Sequence, residues 1–212
     1  RIIDLLLFSK EMYEITNGKT NIAMGPVLEI WHDYRTEGID DPENAQLPPR
    51  EELESAAKYC DINKIKIDEE NLTVFLEDEF MRLDVGAIAK GYATERVAEM
   101  AIEAGYKDFL LSVGGNIRSS GEKTKEDSKW SVGIQNPDQE SQQKTIMTLY
   151  ITDLSVVSSG DYERYYTVNG KRYNHIINPD TLMPSEYYTA VTVVCKDSGL
   201  ADAYSTAIYN MG

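Results

Sequence analysis

Cysteine and histidine are scarce in this chain, and each scarcity excludes a class of chemistry. Its two cysteines, Cys60 and Cys195, make neither a metal spacing nor a redox pair, so two buried thiols are expected. Its two histidines, His32 and His175, are too few for a multi-histidine metal centre. Basic residues are also in the minority: 21 Lys and Arg against 36 Asp and Glu leave a formal net charge of −15. General nucleic-acid binding needs a basic face, so nucleic acid is not an expected partner. No apolar run reaches membrane-spanning length, and Arg1-Ile2-Ile3-Asp4 is not a signal peptide. The chain reads as a mature or truncated piece.

What is present suits a folded domain. The 212 residues are 42% hydrophobic and 27% charged, enough for a sizeable core. Tyrosine outnumbers phenylalanine 14 to 4, as in a strand-rich protein with half-buried aromatic positions. Periodicity predicts a helix over 1–15, with Ile2, Ile3, Leu6, Leu7 and Met12 on one stripe. A short strand or bend follows at Asn21 to Pro26, a helix over Val27 to Tyr34, and a polar surface loop from Arg35 to Arg50. A further helix runs from Pro48-Pro49 to about Tyr59. Lys64 to Asp68 and Leu72 to Leu76 alternate as a hairpin. A long helix from about Ala87 to Ala104 stops at Gly105. Strands are expected at 108–113, 129–134, 145–151, 154–158, 163–168 and 188–195, a charged loop at 121–127, and a final helix from Ser198. Tyr173 onward pairs with the 163–168 strand through the turn Asn169-Gly170. One α+β domain is the economical reading.

Five segments carry candidate chemistry. Asp84 precedes Gly86-Ala87 where a strand meets the long helix, with Lys90 one turn in. A helix N-terminus and small residues suit an anionic ligand, while a plain N-cap aspartate explains the same residues. Ser112-Val113-Gly114-Gly115-Asn116 is a strand entering a tight turn or a backbone wall for a flat ring. The hairpin around Asn169-Gly170 gathers Arg164, Arg172 and His175, and a histidine there serves as structural hydrogen-bonder, phosphate contact or base. Asp202 and Thr206, four residues apart on one helical face, offer hard oxygen donors of the kind Mg²⁺ takes. Their alternative is a helix acid and a threonine bonded back to its own helix.

Taken in order, Asp84-Val85-Gly86-Ala87-Ile88-Ala89-Lys90-Gly91-Tyr92-Ala93, Val113-Gly114-Gly115-Asn116, Ser159-Gly160-Asp161-Tyr162-Glu163-Arg164, His175-Ile176-Ile177-Asn178-Pro179 and Asp202-Ala203-Tyr204-Ser205-Thr206-Ala207 resemble the FAD:protein FMN transferase (ApbE) family. The resemblance implies an α+β fold with a T-fold-like core of mainly antiparallel strands. It implies Mg²⁺-dependent transfer of FMN from FAD to a Thr or Ser hydroxyl of an acceptor flavoprotein, a subunit of a membrane redox complex, with release of AMP. Carried over by motif, the metal ligands are the Ala87 carbonyl, Asp202 and Thr206. Asp84, Lys90, Gly114, Gly115 and His175 contact FAD. Gly18-Lys19-Thr20-Asn21 aligns with a stretch lining the flavin pocket, adding Thr20 and Asn21. For the acceptor's proton, His175 or a nearby carboxylate such as Asp161 is the candidate base. By the same resemblance the protein works outside the cytoplasm, often through a lipid-anchored amino terminus, and an amino-terminal segment with further flavin contacts and the extreme carboxyl end lie outside the chain.

Four positions depart from the family pattern. Asn21, Asn116 and Asn178 stand where aspartate is common, and Leu182 follows Thr181 where glycine is usual. Each amide removes a charge. An FAD pyrophosphatase giving FMN and AMP, a flavin-binding module without catalysis, and a flavin acceptor (Asp197 to Thr206 loosely imitates one) remain the competing readings.

Overall fold

The computed structural model describes residues 1–124, 126 and 128–212. Along the chain come α1 (Ile2–Ile15), α2 (Gly25–Asp40), α3 (Arg50–Ala57), β1 (Ile65–Asp68), β2 (Thr73–Leu76), α4 (Ala89–Glu103), β3 (Phe109–Val113), β4 (Asn116–Ser120), β5 (Trp130–Gln135), β6 (Thr145–Ile151), β7 (Ser155–Gly160), β8 (Tyr165–Val168), β9 (Lys171–Asn174), β10 (Ala190–Cys195) and α5 (Ser198–Tyr209). Every strand pairing is antiparallel. The α+β class and the antiparallel strands are as the sequence predicts. The chain's contacts gather into two compact units, one made of 1–86, 161–187 and 210–212, the other of 87–160 and 188–209.

The first unit holds α1, α2, α3 and the hairpins β1–β2 and β8–β9. Its core joins Met24, Val27, Trp31, Leu53, Tyr166, Val168, Ile177 and Leu182. On α1 the buried line is Leu6, Ser9 and Met12, while Ile2 is exposed, so the expected stripe is rotated. The expected bend at 21–26 is a turn of 3₁₀ helix, Ile22–Met24, capped by the Asn21 side chain. Helix α2 runs to Asp40, six residues into the stretch expected to be loop. Trp31, packed on this core, anchors the helix by donating Nε1–H to the Leu182 carbonyl at 2.9 Å. Leu182 itself has φ +60°. That left-handed geometry explains why glycine suits the position, and here burial of the leucine offsets the strain.

The second unit is built on a four-stranded sheet in the order β10-β7-β4-β3, with β5–β6 as a separate hairpin. Val132, Ile151 and Val156 form its small apolar cluster. Strand β4 was not expected. It exists because Gly114 and Gly115, at φ +51° and +93°, form a two-residue turn that sets Val113 opposite Asn116. The double glycine thus makes a tight turn. The charged loop expected at 121–127 lies partly outside the described residues. Helix α4 packs on β3, β4 and α5, and α5 packs on β7 and β10.

The α4–α5 contact depends on one glycine. A Cβ on Gly91 would lie 2.2 Å from the Ser198 carbonyl oxygen and 2.5 Å from Asp202 Cβ. Both obstacles belong to α5's own turn and cannot swing aside. Gly91→Ala gains about 1 kcal/mol of helix propensity, but forcing a methyl into a packed contact costs ~1–3 kcal/mol. The expected outcome is a lower Tm by thermal denaturation. A rise in Tm would show that the helices separate freely.

Candidate functional site

The N-terminus of α4 is where a carboxylate, a lysine and an amide meet. Helix α4 lacks a side-chain cap: Ile88 occupies the N-cap position. Its first N–H to bond back into the helix is Tyr92, to the Ile88 carbonyl at 3.0 Å. The N–H of Gly91, one residue earlier, is an orphan donor of the first turn. Asp202 reaches across from α5 and accepts it through Oδ2 at 2.7 Å. A carboxylate of one helix thus caps the other, where the helix dipole favours negative charge.

Asp202 is 3% exposed. Its other oxygen, Oδ1, lies 3.8 Å from Lys90 Nζ, and Lys90 donates to Asn116 Oδ1 at 2.9 Å. Burial raises the Asp202 pKa; Lys90, the Gly91 N–H and Asn116 pull it back. Asn116 is fully buried, and its Nδ2, turned toward the carboxylate, completes no hydrogen bond. Gly114 flanks the lysine stem, since a Cβ there would sit 3.9 Å from Lys90 Cδ. Gly115 meets nothing within 4 Å.

The donor set can be tested for a cation. Among the described residues no three His, Cys, Asp or Glu side chains gather in a metal-holding group, so a cation must rely on mixed oxygen donors. Ala87 lies just before the N-cap Ile88, so its carbonyl stands outside the hydrogen-bond ladder of α4, and no hydrogen bond to it occurs among the described residues. Thr206 lies one turn beyond Asp202 on α5, half-buried. One buried carboxylate oxygen short of a close partner, a spare carbonyl and a hydroxyl fit a hard cation such as Mg²⁺.

The first unit holds the remaining candidates. Asp84 does not cap α4, which starts five residues later at Ala89. It closes its own turn, accepting the Gly86 N–H at 2.7 Å, while its N–H donates to the Ile22 carbonyl at 2.8 Å. No strand leads into it, and Lys90 is the second residue of α4 rather than one turn in. Thr20 is buried, its N–H donating to Thr16 Oγ1 at 3.1 Å. Asn21 uses both ends of its amide, accepting from Ala23 N–H at 2.8 Å and donating to the Cys60 carbonyl at 3.0 Å. Asn178 likewise accepts from Asp180 N–H and donates to the Asn210 carbonyl at 3.1 Å. An aspartate at either place would lose the donor. These two departures from the family pattern have local structural reasons.

His175 Nδ1 lies 3.2 Å from the Arg164 carbonyl. Half-buried Asp161 has its pKa raised by burial, with Arg172 opposing, and Arg172 also stacks 4.7 Å over the Tyr165 ring. The expected gathering of Arg164, Arg172 and His175 is met in part. Both cysteines are free thiols, with burial pushing Cys60 up to about 11 and Cys195 upward, so neither is a reactive thiolate. The sequence reading missed Glu95 and Arg118, a buried pair in the second unit, and the packing role of Gly91. Gly91, Glu95 and Ala98 recur at helical spacing, the one signal that could have marked this buried face.

No helix among the described residues is long and apolar enough to cross a membrane. Among curated proteins, the chain is 31% identical over 212 residues to an FAD:protein FMN transferase of Klebsiella pneumoniae (strain 342), covering all of this chain and 62% of that protein. It is 31% identical over 212 residues to another of that name from Treponema pallidum (strain Nichols), covering 94% and 56%. Among solved structures it is similar to the ApbE protein of Thermotoga maritima, with TM-score 0.85 and 32% identity over 99% of this chain and 65% of that one. The flavinyl transferase ApbE of Pseudomonas stutzeri matches with TM-score 0.78 and 25% identity, covering 100% and 62%. The chain thus spans less than two thirds of the length of these relatives. A family match extends over residues 1–212 without a break, and the chain belongs to the ApbE family.

Proposed function

We propose that this protein transfers FMN from FAD to a threonine or serine hydroxyl of an acceptor flavoprotein, releasing AMP, with Mg²⁺ as the metal. The observation that carries the reading is the buried Asp202, held by the Gly91 N–H with its second oxygen toward Lys90. Curated relatives bearing the name FAD:protein FMN transferase support it. The acceptor as a subunit of a membrane redox complex, and work outside the cytoplasm, rest on the family resemblance.

In the second unit, Ala87, Asp202 and Thr206 would hold the metal through a carbonyl, a carboxylate and a hydroxyl. A bound Mg²⁺ supplies Lewis-acid polarisation of the diphosphate and offsets the charge that builds on the leaving phosphate. Lys90, with its side chain 44% exposed, would meet a phosphate oxygen as a point charge. Gly114 and Gly115 would let the backbone approach the ligand closely. In the first unit, Thr20, Asn21, Asp84 and His175 are assigned to FAD by the family pattern, the first two through their backbone. The acceptor oxygen attacks the phosphorus on the FMN side, the P–O bond to AMP breaks, and the hydroxyl proton passes to Asp161 or His175. Positioning and charge neutralisation do most of the catalytic work in such a displacement.

Asp202→Asn separates catalysis from folding. The amide still accepts from Gly91 N–H and removes a buried charge. The wild-type carboxylate has a raised pKa in the fold, so stability falls as pH rises from the unfolded value through the folded one, and stays reduced above it. The variant should therefore match or exceed the wild-type Tm at pH 7. Mg²⁺-dependent AMP release and the FMN mass gain of a threonine-bearing acceptor domain should fall ~100-fold or more. Normal AMP release by the variant would refute the metal assignment. AMP with free FMN and an unmodified acceptor would instead define a pyrophosphatase.

A raised carboxylate pKa suits a general base. If Asp161 is that base, the transfer rate falls as pH drops through a point above the ordinary carboxylate range. Removing the opposing charge with Arg172→Met should move this limb to higher pH, and Asp161→Asn should abolish it. A limb that disappears instead in His175→Gln assigns the base to the histidine.

A further inference from the structure

Glu95 occupies the buried face of α4, one turn beyond Gly91, and is 5% exposed. Its carboxylate makes three bonds. Both oxygens accept from Arg118 Nε, at 3.1 and 3.0 Å, and Oε2 also accepts the Ser198 N–H at 2.7 Å. Ser198 is the first residue of α5, so its N–H is an orphan donor of that helix's first turn. Arg118 is 9% exposed and also donates to the Ser119 carbonyl. The two helices thus cap each other. Glu95 of α4 satisfies the start of α5, and Asp202 of α5 satisfies the start of α4.

The three elements tied by Glu95 all carry members of the candidate site. Helix α4 carries Lys90, strand β4 begins with Asn116, and α5 carries Asp202 and Thr206. A carboxylate that bridges a helix N-terminus to a buried guanidinium is directional, because every lone-pair direction it uses fixes a neighbour. These bonds add direction to the close α4–α5 contact at Gly91. Removing a group that holds a metal ligand's orientation typically costs about 10–100-fold in metal affinity.

We propose that Glu95 is a positioning residue: by anchoring the first turn of α5 to α4 and β4, it keeps Asp202 Oδ2 on the Gly91 N–H and leaves Oδ1 for a divalent cation. Arg118 is its counter-charge, and neither residue touches the substrate. The inference rests on the Mg²⁺ reading above for its functional consequence, and on Gly91 for its structural one.

The experiment therefore has two readouts. Amide hydrogen exchange at Gly91 is followed by NMR in the metal-free protein, and Mg²⁺ affinity is measured by titration calorimetry, for wild type, Glu95→Ala, Glu95→Gln and Val132→Ala. Val132 lies in the apolar cluster with β5 and β6, and serves as a control that lowers stability away from α4 and α5. Glu95→Ala should speed Gly91 exchange and weaken Mg²⁺ binding by about 10-fold each. Glu95→Gln keeps the acceptor for Ser198 N–H and should show a smaller effect on both, which also covers the case in which the alanine variant does not fold. Gly91 exchange and Mg²⁺ affinity in the Glu95 variants no more altered than in Val132→Ala would overturn the inference. A wild type that takes up no Mg²⁺ would overturn the metal reading instead, and the Gly91 comparison would then decide the positioning role alone.

Discussion

One hydrogen bond organises the second unit: the Gly91 N–H to the buried carboxylate of Asp202. It satisfies a helix end that has no cap of its own, and it holds an ionised group that burial alone would disfavour. It also requires that residue 91 have no side chain, since the carboxylate's own Cβ would be 2.5 Å from any Cβ there. Lys90 and Asn116 then find their places around an anion already fixed. The Ala87 carbonyl, just before the N-cap, stays outside the ladder of α4. Capping and close packing are one arrangement here rather than two.

The amide residues illustrate how a single substitution type divides by environment. Asn21 and Asn178 spend both amide groups on backbone partners, one capping a 3₁₀ turn and the other tying a loop to the Asn210 carbonyl. Asn116 is different. Its oxygen serves Lys90 while its nitrogen is buried without a completed hydrogen bond. Such an atom costs free energy unless something supplies an acceptor, and it faces the one carboxylate of the site. The Asn116 side chain therefore belongs to the cluster around Lys90 and Asp202, whereas the side chains at 21 and 178 hold the local fold.

Much of the local structure was legible in the chain. Asn169-Gly170 announced the β8–β9 hairpin, and Gly105 announced the end of α4, because these turns depend on backbone conformations that few residues adopt. The four-residue spacing of Asp202 and Thr206 is enough to place both on one helical face. Boundaries governed by packing were less legible. Helix α2 continues through Arg35–Asp40 because Gly38 admits the Tyr166 ring, a Cβ there meeting that ring at 2.6 Å, and nothing in the polar sequence advertises that contact. Strand β4 was hidden for a related reason: Arg118, Ser119 and Ser120 are polar yet buried, so alternation fails as a guide.

Sequence by itself determined the secondary-structure periods, the tight turns, the acidic surface charge and the oxygen-donor chemistry available to a cation. These follow from side-chain identity and short-range spacing, which are written in the chain one residue at a time. Only the tertiary structure decided that Asp84 closes its own turn, that Asp202 caps α4, and that Glu95 and Arg118 brace α5. Each of those depends on groups 23 to 111 residues apart or on where a helix actually begins. The strength of such a bond is set by burial, which exists only once distant segments have packed around it.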